Sequence, residues 1–179
     1  MSRIAPVISS NVSPKVATTL NQVKGSLGMV PNFFATLAHS SVALDGFLSL
    51  SKALSHGRLS ARQREILALT VAQENACRYC LSAHTASAKA AGVSEAEVLK
   101  ARAGDSGYPF ERALVLFAKS IVRQRGHVLD KDIESARKAG IDDSLMMEVI
   151  ANVAVNTFTN YANELADTEI DFPVVEVKL

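Results

Sequence analysis

The chain has 179 residues, 48% of them hydrophobic, and a formal net charge of +1 from 19 basic and 18 acidic side chains. That length and apolar content suffice for one domain with its own core, expected to span residues 1–179, and the balanced charge, with no basic block, speaks against a nucleic-acid-binding surface. The opening MSRIAPVISSNVSP lacks the continuous apolar region of a secretory leader, and no run approaches the ~18 apolar residues of a membrane span, so a cytoplasmic protein without membrane contact is expected.

In chain order, the sequence predicts helices almost throughout. Ser13 and Pro14 supply an N-cap and a first-turn proline for a helix reaching about Gly25. Gly28 to Asn32 reads as a turn, with Asn32 capping the short segment FFATLAH. Ser40 or Ser41 opens VALDGFLSLSKAL, which His56-Gly57 closes. Ser60 opens ARQREILALTVAQ, whose apolar residues leave only a narrow polar strip, so this helix is expected to be central. A second helix runs from about Arg78 to Ala91 and stops at Gly92. The capping box Ser94-Glu95-Ala96-Glu97 starts a short helix, and Pro109 precedes FERALVLFAKSIVRQ. Asp130 begins KDIESARKAG, and Asp142 begins the last helix, LMMEVIANVAVNTFTNYANELAD. Only the tail FPVVEVKL alternates with the period of a strand. The expectation is an all-α domain of seven or eight helices. One echo stands out: Ser87 to Gly92 and Ser135 to Gly140 have nearly the same letters, which fits either stereotyped helix ends or a duplicated hairpin.

Both cysteines lie in CRYCLSAH. With Arg78 onward helical, Cys77 sits at the helix start and Cys80 one turn later on the same face, where unpaired backbone N–H groups favour thiolate over thiol. His84 follows Cys80 by four residues and can exchange a proton with it. On the preceding helix Glu65 shares a stripe with Ala68, Leu69 and Ala72, so its carboxylate could face inward with a raised pKa, or pair at the surface with Arg62. These residues leave three readings open: a redox dithiol, part of a zinc site, or two inert buried thiols. Of the two sulfurs, Cys80 is expected to meet oxidant first, with Cys77 nearer the exposed helix entrance.

Glu65 followed by Cys77-x-x-Cys80-x-x-x-His84 on two successive helices resembles the AhpD-like / carboxymuconolactone decarboxylase family. The likeness extends to the Val30-Pro31-Asn32 turn, Arg64-Glu65-Ile66 and the C-terminal NYANELADTEIDFP, and spans about residues 28 to 173. It implies an AhpD-like helical fold with the CxxC at the start of a central helix. It also implies a thiol-dependent alkylhydroperoxidase in which Cys80 is peroxidatic, Cys77 resolving, and Glu65 with His84 the proton relay. No bound cofactor is implied; the cycle needs a hydroperoxide and an external reductant, either a thiol protein or a small dithiol. The best-known pattern of the family has a second His immediately before the peroxidatic cysteine, whereas Tyr79 stands here and can serve only as an auxiliary hydrogen-bond donor. The alternatives are a lactone decarboxylase of the same family and a non-enzymatic, oligomeric redox sensor.

His39 and His56 sit near helix ends and His127 in a polar turn, where capping or solvation is the ordinary role. Asn152, Asn156, Asn160 and Asn163 recur at four, four and three residues, a polar stripe that fits either a core network or a subunit contact. Apolar surface around it favours self-association, and the resemblance implies homotrimers or homohexamers.

Overall fold

The computed structural model describes residues 2–8 and 11–179, so the reading of the N-terminal segment falls in part on Met1, Ser9 and Ser10, outside the described residues. Among the described residues there are nine helices and no strand: α1 (Pro14–Leu27), α2 (Asn32–Leu37), α3 (Ser41–Ser55), α4 (Ala61–Glu74), α5 (Arg78–Ala90), α6 (Glu95–Ala103), α7 (Pro109–Gln124), α8 (Asp130–Lys138) and α9 (Asp143–Ala166). The ninth is α2, six residues long, which reads in the sequence only as a short capped segment. None is long and apolar enough to cross a membrane.

Helix α4 is the hub. Its capping box, Ser60 with Gln63, fixes the start, and every residue from Ile66 to Ala72 is buried. Helices α5, α6, α7 and α9 all pack against it. Ile66, Leu69 and Ala72 face a cluster with Cys77, Cys80 and Leu81, while Leu67 and Val71 face Leu114, Ile121, Ile141 and Val149. Apolar residues at both sets of positions let one helix serve two core layers, and each fully buried Leu or Ile contributes roughly 1.5–3 kcal/mol.

The corner after α4 determines where the cysteines sit. Ala76 takes a left-handed φ of 55°, and the chain closes with Ala76 N–H to Gln73 O at 3.2 Å and Cys77 N–H to Ala72 O at 2.9 Å. This is the Schellman pattern, and the residue just beyond it, Cys77, becomes the N-cap of α5. The echoed segments end in the same way. Gly92 and Gly140 have φ of 82° and 93°, and Val93 and Ile141 donate back to Ala88 and Ala136. Shared cap geometry thus coincides with the shared letters.

Two expectations are corrected. Asn32 does not cap α2: it is the first helical residue, after Pro31, which offers no side-chain acceptor. The tail does not form a strand. It runs as an extended strap in which Val175 N–H donates to Ser82 Oγ at 2.9 Å, while Arg102 and Gln73 donate to Val177 O at 3.2 and 2.8 Å. Ile170, Phe172, Val175 and Val177 pack on the cysteine-bearing cluster, so the alternation buries side chains without a pairing partner.

Candidate active site

Cys77 and Cys80 are joined as a disulfide, with Cα atoms 5.3 Å apart. Cys77 Sγ occupies the N-cap acceptor position and receives Cys80 N–H at 3.2 Å. The two sulfurs differ in access. Cys77 is wholly buried, whereas Cys80 contributes to the lining of a cavity of about 400 Å³. The expectation that Cys77 lies nearer an exposed entrance is therefore reversed: the Schellman corner turns it into the core, and Cys80, one turn on, faces the open volume.

Glu65 and His84 line the same cavity. His84 Nδ1 and Glu65 Oε2 are 2.9 Å apart, both side chains about three-quarters buried, and this contact ties α4 to α5. With Nδ1 engaged by the carboxylate, Nε2 is the ring nitrogen left to exchange protons. The alternative pairing of Glu65 with Arg62 does not form. Arg62 instead binds Glu111 at 2.8 Å and Glu97 at 2.7 Å.

Tyr79 lines the cavity too, but its hydroxyl is committed elsewhere. It donates to Asp171 Oδ1 at 2.8 Å and accepts Phe33 N–H at 3.1 Å, while Asp171 Oδ2 accepts Asn32 N–H at 2.8 Å. Pro31 leaves the first N–H groups of α2 without a local acceptor, and a phenol and a carboxylate from distant chain positions take them instead. Burial pushes the Tyr79 phenol well above its ordinary range, and the adjacent Asp171 raises it further. The auxiliary residue thus holds α2, α5 and the strap together.

The sequence reading missed two parts of the cavity wall. Phe33, Phe34, Phe47 and Phe172 supply aromatic surface. Opposite in character are Asn152, Asn156, Thr159 and Asn163, all at least nine-tenths buried. The asparagine stripe therefore points into the chain and is not a subunit contact. Asn163 Nδ2 reaches Cys80 Sγ at 3.4 Å, and Asn75 donates to Asn160 at 2.8 Å. The four-four-three spacing was the available signal, but only the three-dimensional structure shows that the stripe meets the cysteines. The remaining histidines lie outside the site: His39 contacts Ala5 O and His56 contacts Lys52 O, each at 2.8 Å, and His127 is exposed. No group of three or more His, Cys, Asp or Glu residues among the described residues is placed to hold a metal ion.

Residues 43–120, which carry Glu65, both cysteines and His84, match the family model for the carboxymuconolactone decarboxylase family. A search of curated proteins returns no match. Among solved structures, a peroxidase-related protein with an alkylhydroperoxidase AhpD core from Ralstonia eutropha JMP134 superposes with a TM-score of 0.86 at 23% identity, over 95% of this chain and 92% of that one. A peroxidase-related protein from Silicibacter sp. TM1040 gives 0.78 at 21% identity, over 93% and 91%. The debrominase Bmp8, as a cysteine-to-alanine variant in complex with 2,3,4-tribromopyrrole, gives 0.79 at 20% identity, over 94% and 91%.

Proposed function

We propose that this AhpD-like chain, whose residues 43–120 belong to the carboxymuconolactone decarboxylase family, is a single-domain, thiol-dependent reductase of organic hydroperoxides. One observation carries the reading: a closed Cys77–Cys80 pair whose Cys80 side opens on a cavity shared with the Glu65–His84 couple. His84 Nε2, oriented by Glu65, takes the Cys80 thiol proton; the thiolate attacks the terminal peroxide oxygen, the S–O bond forms, the O–O bond breaks, and the departing alkoxide takes that proton back from His84. Cys77 then attacks the Cys80 sulfenic acid, the disulfide forms, and hydroxide leaves as water after protonation. The sum is hydroperoxide plus dithiol giving alcohol, water and disulfide. Aromatic side chains along the cavity favour an apolar organic group on the peroxide.

An external dithiol must reopen the bond. Because Cys77 is wholly buried and Cys80 lines the cavity, a small dithiol suits the reduction better than a folded protein surface. A reducing cytoplasm would keep such a cycle turning. Self-association fits α9, whose outer face presents Met147, Ile150, Phe158, Tyr161 and Leu165 exposed at spacings of three, eight, three and four, all on one side of the helix.

The aromatic wall also favours a second substrate class, since one solved neighbour is a debrominase bound to a flat bromopyrrole. There Cys80 would take the halogen from an electron-rich ring, the ring would take a proton, and Cys77 would displace bromide to close the disulfide. A lactone decarboxylase is less supported, because among the described residues Arg64 is the one guanidinium on the cavity wall. The deciding experiment supplies a small dithiol and follows consumption of an aryl-alkyl hydroperoxide beside bromide release from a bromopyrrole. Catalytic loss of hydroperoxide supports the proposal, bromide release alone supports the second reading, and a single stoichiometric oxidation indicates a sensor.

A further inference from the structure

Asn163 lies on α9, outside the stretch that matches the family model, and is 4% exposed. Its Nδ2 donates to Cys80 Sγ at 3.4 Å, while its Oδ1 is buried without a partner among the described residues. Three residues earlier, the wholly buried Asn160 accepts from Asn75, two residues before Cys77, and its Nδ2 is buried without a partner among the described residues. Helix α9 therefore directs two amides at the α4–α5 corner, and neither is fully satisfied while the disulfide is closed.

A disulfide sulfur is a poor acceptor, and burying an amide with half its hydrogen-bonding capacity empty is unfavourable. A thiolate at the same position reverses this. It accepts a charge-assisted hydrogen bond, which in a desolvated setting is among the stronger ones available. The two sulfurs also have separate donors: the backbone N–H of Cys80 serves Cys77, and the Asn163 side chain serves Cys80. The helix terminus alone would place charge on Cys77, which is sealed from the cavity. A donor aimed at Cys80 shifts that preference to the sulfur a substrate can reach.

We propose that Asn163 is a positioning residue for the dithiol, one that holds Cys80 as a thiolate through its Nδ2–H and so lowers the pKa of that thiol. The inference rests on the reading of Cys80 as the reacting thiol, but it can be tested without turnover. In the full-length Cys77→Ser protein, whose serine keeps an N-cap acceptor, the rate of Cys80 alkylation by iodoacetamide is followed against pH. The same profile is taken with Asn163→Leu, which removes the donor at similar volume, and with Asn163→Asp, which sets a carboxylate against the sulfur. The Leu variant should move the alkylation midpoint up by about one pH unit, a roughly tenfold smaller thiolate fraction below the midpoint. Asn163→Asp should move it further, and Asn163→Gln should recover part of the shift.

Helix content by circular dichroism identifies any variant that fails to fold, and the Leu and Gln profiles decide the matter if Asp does. A purely structural role would lower the melting temperature and leave the midpoint in place. Coincident profiles overturn the inference even if hydroperoxide is consumed. Shifted profiles in a protein that consumes none would uphold Asn163 and overturn the proposed function.

Discussion

Replacing Tyr79 by Phe removes one oxygen and tests why α2, α5 and the strap stay together. The Phe33 N–H, buried at the start of α2, would lose its acceptor, and the Asp171 carboxylate would lose a donor. Leaving a buried N–H unpaired costs about 1–3 kcal/mol, and a hydrogen bond to a charged group adds to this, so the expected loss near neutral pH is about 2–4 kcal/mol. The pH dependence provides an internal control. Burial, opposed by the Phe33 N–H and supported by Asp171, holds the phenol protonated above its usual range. Below about pH 10, the unfolded value, both states carry a neutral phenol and the full contribution is present. Above it the unfolded chain ionises and the folded chain does not, so this contribution falls by about 1.4 kcal/mol per pH unit. Phenylalanine does not titrate, so the gap between wild type and Tyr79→Phe should narrow as pH rises past about 10. Urea unfolding followed by circular dichroism reads both effects. A loss below about 0.5 kcal/mol near neutral pH, or a gap that stays constant above about pH 10, would refute the capping argument.

Arg62, and after it Ser94, hold the Glu97 carboxyl down at about 2, so the stability this group contributes is present above the ordinary glutamate range and is lost as pH falls toward that value. Arg62→Met should therefore lessen the acid sensitivity of unfolding, and an unchanged acid profile would count against the pair. Glu65→Gln keeps the volume and removes the orienting carboxylate from His84; peroxide oxidation of Cys80 should slow by roughly 100-fold with helix content unchanged, as stopped-flow kinetics can show. Phe158→Glu, on the outer face of α9, should shift sedimentation toward the monomer, while reductant should leave the wild-type assembly intact because both cysteines pair within one chain.

Helix positions were legible because caps are local. Ser13, Ser40, Ser60, Ser94 and Asp142 each accept from a backbone N–H within three residues, and each starts a helix near its expected place. The cap of α2 was not legible, because its acceptors come from positions 79 and 171. The approach of Glu65 to His84 was legible only through the family resemblance, since the stripe on its helix left Glu65 open to Arg62 as well. The burial of Cys77 was not legible, since it depends on a left-handed Ala76, and alanine gives no warning of that conformation. The asparagine stripe was visible as spacing, yet its orientation depends on which face of α9 meets α4 and α5. That is a property of the packed bundle, absent from the periodicity of a single helix.

The central claim is that Cys80 is the thiol that meets peroxide and Cys77 the one that closes on it. Mass spectrometry of reduced Cys77→Ser and Cys80→Ser proteins after brief exposure to an organic hydroperoxide, with a sulfenic-acid trap present, tests it most directly. Trapped sulfenic acid should build up on Cys80 faster than on free cysteine, with none on Cys77 over the same interval. Faster oxidation of Cys77 would reverse the assignment, and reaction at neither thiol beyond the rate of free cysteine would contradict peroxide reduction itself.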